Sequence, residues 1–275
     1  MKTLYVSDLD GTLLNSKGEL SDSTAAIINS LISHGLEFTV NTSRTPKSAE
    51  HILSKLNLKL PAIVMNGGGF WDCETESLTD FFPISAPTAR RLAAAAVRSG
   101  CEPFLFGFEN GEIDVKYTSA ENPYSAAFIS SRKSYYRSFI AEKYINPEKD
   151  TLYIICIGDR DRLSLLKNTV DKMTDISSSL FISENEGCYL EIYSRLAGKW
   201  NGTRRLSEKY GFGRTVCFGD NLNDIEMLKN ADLGIAVANG YGQVKNAADI
   251  VIGDCDSDSV AEYLMVEWSR EPELK

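Results

Sequence analysis

Aspartates stand at the ends of two apolar runs of this chain. Residues 4–7 lead into Asp8, and residues 216–219 lead into Asp220. Asp10 follows Asp8 after a single leucine, so one carboxylate could attack an electrophile while its neighbour transfers protons. Gly11 comes next, and a glycine lets the backbone turn sharply and present its N–H groups to an anion.

Further oxygen ligands follow the second of these aspartates. Asn223 and Asp224 lie close behind Asp220. Hard oxygen ligands of this kind suit Mg²⁺, which combines one or two carboxylates with the phosphate of a substrate. The spacing of the oxygens and the position of the glycine exclude an EF-hand calcium loop. The segment therefore indicates a magnesium site.

Polar groups suited to an anion end two more apolar segments and begin a helix. Hydroxyl and ammonium groups can hold phosphate oxygens. Taken alone, each residue also has an ordinary interpretation as a turn residue, a surface cation or a helix start. Because polar groups recur at four strand ends, we favour one shared site. The candidates are Thr42, Ser43, Arg44, Asn66, Gly67 and Lys199.

The elements that must position these residues alternate between strand-like and helical patterns, which is typical of a parallel sheet with crossover helices. Between them lies a stretch in which strands and helices mix differently, as in an inserted α+β unit. We therefore predict an α/β fold with a Rossmann-like, doubly wound parallel sheet. Its core covers residues 1–83 and 188–275, and the insertion covers residues 84–187.

Capping residues locate the first helices. Ser21 or Asp22 can begin a helix that ends at residues 34–35. Thr45 followed by Pro46 predicts the start of the next helix. A third strand is then expected over residues 62–65, followed by a glycine-rich turn.

Composition narrows the class of protein. The chain has 275 residues, is 43% hydrophobic and carries a formal charge of −9, which argues against nucleic acid or an anionic membrane as a partner. The six cysteines form no CxxC pair and are typical of buried thiols in a reducing compartment. The apolar run before Asp8 is too short for a signal peptide, so we expect a cytoplasmic protein. The oligomeric state is open between a monomer and a weak homodimer.

Together these motifs resemble those of the haloacid dehalogenase (HAD) superfamily, in its Cof-type phosphatase branch. The insertion resembles the cap of the C2B type, which in that branch governs substrate specificity. The resemblance covers almost the whole chain, with the motifs in family order. The segments that carry it are residues 8–14 (DLDGTLL), 42–44 (TSR), 66–67 (NG), Lys199 and 219–227 (GDNLNDIEM).

The resemblance implies a role for each matching residue. Asp8 attacks phosphorus, and Asp10 protonates the leaving alcohol and then deprotonates water. Mg²⁺ is held by the Asp8 carboxylate, the Asp10 carbonyl and Asp220, with Asp224 as a further or outer ligand. Lys199 is both catalytic and phosphate-binding. The other expected phosphate- or substrate-binding residues are Gly11, Thr12, Thr42, Ser43, Arg44, Asn66, Gly67 and Asn223.

The expected function is that of a Mg²⁺-dependent phosphoric monoester hydrolase. Its substrates would be small phosphorylated metabolites, with sugar phosphates first among them, and the reaction would pass through an aspartyl-phosphate on Asp8. Two alternatives stay open. One is a sugar phosphomutase of the same superfamily, and the other is a non-catalytic ligand-binding module on the same fold.

Overall fold

A computed structural model describes residues 2–109, 112–136, 138–183 and 187–270 of the chain. The strands are, in chain order, β1 (Thr3–Ser7), β2 (Glu37–Val40), β3 (Ala62–Val64), β4 (Gly69–Asp72), β5 (Ser77–Thr79), β6 (Glu102–Glu109), β7 (Glu112–Tyr117), β8 (Ser138–Ala141), β9 (Thr151–Gly158), β10 (Ile176–Ser183), β11 (Gly187–Ser194), β12 (Arg214–Gly219), β13 (Leu233–Val237) and β14 (Ile250–Ile252). The helices are α1 (Asp22–Ser33), α2 (Pro46–Leu53), α3 (Ala86–Arg98), α4 (Pro123–Arg132), α5 (Arg160–Val170), α6 (Lys199–Tyr210), α7 (Ile225–Asn230), α8 (Gly242–Lys245) and α9 (Ser259–Arg270).

The chain forms two compact units. The core unit comprises Met1–Thr79 and Lys199–Lys275, and the insert unit comprises Asp80–Gly198. The sequence placed these boundaries at residues 83/84 and 187/188, and the second one differs most. The second boundary lies later in the chain than predicted because β11, which begins at Gly187, pairs with β9 and β10 of the insert unit.

A five-stranded sheet organises the core unit. Its order is β14-β13-β12-β1-β2, and every pairing in it is parallel. β1 is buried along its whole length and lies between β12 and β2. The α/β prediction with a doubly wound parallel sheet is confirmed. The carboxyl ends of β12, β1 and β2 therefore meet at one edge.

The predicted helix starts are confirmed by their caps. Ser21 accepts a hydrogen bond from the Thr24 N–H and begins α1, and Thr45 accepts one from the Ser48 N–H ahead of Pro46. These caps satisfy N–H groups that have no partner within the helix. The start of α2 is thereby placed directly behind the Thr42 to Arg44 segment.

The third predicted strand exists as β3, and the predicted turn follows it. β3 meets the parallel sheet through an isolated bridge between Asn41 and Ile63. It then pairs antiparallel with β4, and β4 pairs antiparallel with β5. The tight turn after β3 holds Met65 and Asn66 at φ of 53° and 54°, where the chain reverses to form a hairpin instead of continuing to a crossover helix.

The insert unit is an α+β unit, as predicted. Its six-stranded sheet has the order β10-β11-β9-β6-β7-β8, with β7 and β8 parallel and the other pairs antiparallel. Buried residues of α3 and α5, among them Leu92 and Leu163, pack with Ile154 and Leu190 of the sheet. The sequence did not predict α4 or β8.

The six cysteines are free thiols, and Cys101, Cys156, Cys217 and Cys255 are buried. In the described part of the chain, none of the helices combines the length and the apolar character that a bilayer crossing requires.

Candidate active site

The candidate site begins where the strands of the core sheet end. Asp8 follows β1 directly, and its N–H donates to Phe218 O of β12 at 3.0 Å. Asp220 follows β12, and Thr42 lies two residues after β2. Adjacent parallel strands thus deliver two carboxylates and a hydroxyl to one edge, as the sequence pattern predicted.

A buried lysine joins two of the carboxylates. Lys199, the first residue of α6, places Nζ 2.7 Å from Asp8 Oδ1 and 2.6 Å from Asp224 Oδ1. The side chains are almost entirely buried, with exposed fractions of 1% for Lys199, 7% for Asp8 and 0% for Asp224. Charges this deep persist only when they are paired and hydrogen-bonded, so the three side chains act as one electrostatic unit.

Asp224 also braces the loop after β12. Its second oxygen, Oδ2, accepts hydrogen bonds from the N–H groups of Asp220 at 3.1 Å and Asn221 at 2.9 Å. Because Lys199 occupies Oδ1, the whole carboxylate of Asp224 has protein partners. The residue therefore orients both the lysine and the backbone that carries Asp220.

The turn after Asp8 is shaped around Asp220. Thr12 Oγ1 donates to Asp220 Oδ1 at 3.0 Å. Gly11 has a φ of +75°, and a Cβ at this position would lie 2.5 Å from Asp220 Oδ2. Asn239 Nδ2 donates to the Gly11 carbonyl at 2.7 Å. Glycine is required here both by the backbone conformation and by the close approach of the carboxylate.

Burial and like charges shift the titration of these carboxyls. Burial raises the pKa of Asp8 well above its ordinary value; Lys199 opposes this shift, while Asp224 and Asp220 reinforce it. Burial, reinforced by Asp224, raises the pKa of Asp220 to about 6. Burial alone would lower the pKa of Lys199, but Asp224 and Asp8 raise it above its ordinary value, so the ammonium stays charged.

The carboxylates suit a divalent metal ion. Asp8, Asp220 and Asp224 each offer an oxygen, and these three oxygens lie within 4.8 Å of one another. The set contains oxygen donors of anionic character and includes neither thiolate nor imidazole, which is the donor chemistry that Mg²⁺ prefers. The residues present therefore fit the magnesium ion that the sequence predicted.

Asp10 lies outside this buried group and pairs with an arginine. Arg44 Nη2 donates to Asp10 Oδ1 at 2.6 Å, and Arg44 Nε donates to Asp10 Oδ2 at 2.8 Å. The side chain of Asp10 is 48% exposed and that of Arg44 is 23% exposed. Arg44, which the sequence grouped with the phosphate-binding residues, is thus directed at the expected acid/base.

The remaining candidates surround the same strand ends. Thr42 is buried, and its Oγ1 accepts a hydrogen bond from the Arg44 N–H at 3.1 Å. Ser43 is partly buried beside it. Asn223 Nδ2 donates to Asn66 Oδ1 at 2.9 Å, which ties the loop after β12 to the β3–β4 turn. Binding of phosphate by any of these residues stays a prediction.

Several contacts at the site involve residues that the sequence reasoning did not select. Gly67 O accepts a hydrogen bond from Arg205 Nη2 at 2.8 Å. Asn41 and Thr203 meet behind Lys199. The sequence could have indicated Asn41, since it is a polar residue at the end of an apolar strand. Asn239, just beyond β13, carried the same signal. Arg205 carried none, because helix periodicity does not reveal what a long side chain reaches.

Comparisons with known proteins identify the family of this chain. The model of the haloacid dehalogenase-like hydrolase family matches residues 5–264. An HMP-PP phosphatase of Serratia proteamaculans is 26% identical over 280 residues, covering 100% of this chain and 98% of the relative. The 5-amino-6-(5-phospho-D-ribitylamino)uracil phosphatase of Bacillus subtilis is 24% identical and covers 95% and 94%.

The fold has a close counterpart among solved structures. A haloacid dehalogenase-like hydrolase from Bacteroides thetaiotaomicron superposes with a TM-score of 0.78 at 22% identity, covering 97% of this chain and 100% of that one. The resemblance drawn from the motifs is confirmed, and so is the assignment to the hydrolases. This chain belongs to the haloacid dehalogenase-like hydrolase family.

Proposed function

We propose that this protein is a phosphatase that hydrolyses small phosphorylated metabolites through an aspartyl-phosphate on Asp8. The observation that carries the proposal is the Lys199 ammonium held between Asp8 and Asp224 at the edge of the sheet. It keeps a positive charge beside a carboxylate that would otherwise repel an anionic substrate. Phosphoryl transfer depends mainly on positioning and on charge neutralisation, which this arrangement favours.

The first chemical step forms a bond between an Asp8 carboxylate oxygen and phosphorus. The bond from phosphorus to the leaving oxygen breaks, and its electron pair stays on that oxygen. Asp10, in its protonated form, gives its proton to the leaving group. Both Asp10 oxygens accept hydrogen bonds from Arg44, so one of these contacts must open before Asp10 carries the proton. The half-exposed side chain of Asp10 leaves room for that change.

The second step regenerates the enzyme. Asp10, now a carboxylate, accepts a proton from water as the water oxygen attacks phosphorus. The bond between phosphorus and the Asp8 oxygen breaks, which releases phosphate and restores the Asp8 carboxylate. Splitting the reaction in this way replaces one difficult displacement by two easier ones. Lys199 stabilises the negative charge that spreads over the phosphoryl oxygens in both steps.

A magnesium ion would be held by the carboxylates of Asp8 and Asp220, with the Asp10 carbonyl added by the family resemblance. Asp224, whose two oxygens already accept from Lys199 and from backbone N–H groups, would be a further or outer ligand. When bound, Mg²⁺ supplies charge neutralisation between the nucleophilic carboxylate and the phosphoester dianion. A neighbouring cation also favours the ionised forms of Asp8 and Asp220, whose pKa values burial raises.

Sugar phosphates and related phosphorylated polyols are the substrate class to test first. The motif resemblance favours them, and one relative is named for a substrate that carries a 5-phospho-D-ribityl group. The insert unit would set substrate choice, in line with its resemblance to a C2B cap. A cytoplasmic location and a monomeric or weakly dimeric state stay predictions.

A panel of phosphomonoesters with Mg²⁺ tests the proposal. The wild type should release phosphate, and Asp8→Asn should lose about 10³-fold or more of the turnover while keeping its fold, since it removes the attacking charge but not the shape. Asp22→Asn, the same change on the exposed start of α1, is the matched control and should stay active. Full activity in Asp8→Asn would refute the proposed nucleophile.

The panel also separates the alternatives. Conversion of a hexose phosphate to its isomer without phosphate release would identify a phosphomutase. A wild-type protein that binds phosphoesters but turns none over, with and without Mg²⁺, would identify a ligand-binding module. Chelation of divalent metal should abolish turnover, and Mg²⁺ should restore it.

A further inference from the structure

A buried asparagine lies behind Lys199 and takes no part in the chemistry above. Asn41 follows β2, is 0% exposed, and directs its side chain at the first turn of α6. Its Nδ2 lies 2.8 Å from the Lys199 carbonyl oxygen and 3.1 Å from Thr203 Oγ1. We propose that Asn41 is the positioning residue for Lys199, an inference that rests on the proposed function.

The orientation of the Asn41 amide follows from its partner. The Lys199 carbonyl can only accept a hydrogen bond, so the nearer end of the amide must be the NH₂ group. Rotating the amide would set two oxygens 2.8 Å apart and would replace an attraction with a repulsion. The contact is therefore a donated hydrogen bond to the backbone of the residue that carries the ammonium.

The other end of the amide is costly to bury. Within the described residues, Asn41 Oδ1 has no hydrogen-bond partner although the side chain is enclosed. An unpaired buried acceptor destabilises a fold, and an apolar residue would continue the buried pattern of β2 without that cost. Stability alone does not account for asparagine at this position, whereas a hydrogen bond that holds Lys199 does.

The place of Lys199 in its helix explains why an anchor is needed. It is the first residue of α6, and the first N–H groups of a helix have no partner within the helix. The first turn is therefore bound to the rest of the helix only through its carbonyl groups, and tertiary contacts must fix its position. Gly202 packs so closely that a Cβ there would lie 2.7 Å from Ile63 Cγ2 and 2.9 Å from Gly67 Cα. Asn41 completes this contact from the strand side.

Fixing the backbone defines where the ammonium reaches. Lysine has four side-chain torsions, so its tip is precise only when both ends are held. The tip is held by Asp8 at 2.7 Å and Asp224 at 2.6 Å, and the base is held by Asn41. A displacement of about 1 Å at a reacting group can reduce the rate about 100-fold. Asn41 therefore acts on the reaction through Lys199 without touching the substrate.

The test compares Asn41→Leu with Thr203→Val. The first variant keeps side-chain size but removes the donor to Lys199 O. The second removes the hydroxyl of Thr203, which also accepts from Asn41 Nδ2, and leaves the contact with the Lys199 carbonyl intact. We expect kcat of Asn41→Leu to fall about 10- to 100-fold, with a smaller change in KM, and kcat of Thr203→Val to stay within about threefold of the wild type. Both variants should keep the wild-type circular dichroism and a cooperative thermal transition.

A crystal structure of Asn41→Leu supplies a readout independent of activity. Lys199 Nζ should leave hydrogen-bond distance of Asp8 or Asp224, beyond about 3.5 Å. Lys199 at its original distances together with an unchanged kcat would overturn the proposal, and so would an equal loss of kcat in Thr203→Val. Asn41→Ala serves as the second variant. Loss of fold in both Asn41 variants would assign Asn41 to the fold and overturn its role towards Lys199.

The two proposals can fail separately. A wild type inert towards every phosphoester would refute the phosphatase function. The distances from Lys199 to Asp8 and Asp224 in the variant would still decide whether Asn41 positions the lysine.

Discussion

Arg44 donates hydrogen bonds to both carboxylate oxygens of Asp10 in a bidentate pair, from Nη2 to Oδ1 at 2.6 Å and from Nε to Oδ2 at 2.8 Å. The arginine is itself anchored, because its Nη1 donates to the Ser48 carbonyl at 3.2 Å in the first turn of α2. The expected acid/base therefore has its orientation set by a helix that starts directly behind the Thr42 to Arg44 segment. A fork of this kind is specific to arginine, since lysine offers a point charge.

Breaking this pair should affect activity more than stability. Arg44→Gln should lower kcat about tenfold, because Asp10 loses its orientation, while the free energy of unfolding changes by less than about 1 kcal/mol for so exposed a pair. Arg44→Lys should recover only part of the activity. Steady-state kinetics and urea unfolding provide the two measurements.

Lys47→Gln is the matched control for Arg44. Lys47 pairs with Glu50 on the exposed side of the same helix and does not contact Asp10. The Lys47→Gln variant should keep the wild-type kcat. Wild-type kcat in Arg44→Gln would contradict an orienting role for the arginine.

Removing the buried lysine should destabilise the protein strongly. Lys199→Met leaves the Asp8 and Asp224 carboxylates buried without their cation, which typically costs about 3–5 kcal/mol. Lys229→Met, on the exposed face of α7, should cost less than about 0.5 kcal/mol. Chemical denaturation near neutral pH measures both.

A second substitution sharpens this prediction. Adding Asp8→Asn to Lys199→Met removes one of the two unpaired charges and should return part of the lost stability. Additive losses in the double variant would show that the lysine and the aspartate do not depend on each other.

Stability without metal should decline as pH rises through the titration range of Asp220. A carboxyl with a higher pKa in the folded protein than in the unfolded chain holds its proton more tightly when folded, so its contribution to stability falls with increasing pH. The window runs from the ordinary value of 3.8 to about 6. Across this pH window, the free energy of unfolding of the wild type should fall by roughly 1–3 kcal/mol relative to that of Asp220→Asn.

Urea unfolding in a metal chelator at several pH values measures this difference. Using the difference between the two proteins cancels the carboxylates that do not interact with Asp220. Asp8 does not cancel, because the Asp220 charge raises its pKa, and it adds to the difference in the same direction. Mg²⁺ should reduce the pH-dependent difference between the two proteins, because a cation favours the ionised carboxylate. Parallel pH profiles of wild type and Asp220→Asn would count against a raised pKa at this residue.

A side chain at residue 11 should disturb the Asp220 carboxylate. Gly11→Ala places a Cβ 2.5 Å from Asp220 Oδ2 at a φ of +75°. Gly211→Ala is the matched control, since it has a φ of +71° and no atom within 4 Å of the added Cβ. Both variants pay the left-handed backbone penalty of about 1–2 kcal/mol. Gly11→Ala should cost about 1 kcal/mol more and should also weaken stabilisation by Mg²⁺.

Thermal unfolding with and without Mg²⁺ separates these effects. The control should keep the full Mg²⁺-induced increase in melting temperature. Equal increases in both glycine variants would mean that Asp220 does not help to hold the ion.

The sequence by itself determined the class of fold and the edge at which the chemistry lies. Alternating strand and helix patterns predict parallel strands, whose carboxyl ends meet at one edge of the sheet. The sequence alone therefore predicts that Asp8, Thr42 and Asp220 lie at the same edge. The caps at Ser21 and Thr45 were equally readable, because a cap depends on residues three positions apart.

Only the tertiary structure decided which polar and charged groups meet. Thr12 and Asp220 are 208 positions apart, and Arg44 and Asp10 are 34 apart, distances at which residue periodicity carries no information about contact. The same limit hid the hairpin after β3 and the membership of β11 in the insert sheet. Pairing of this kind follows from sheet twist, helix docking and the reach of long side chains, which are properties of the packed chain and not of its local pattern.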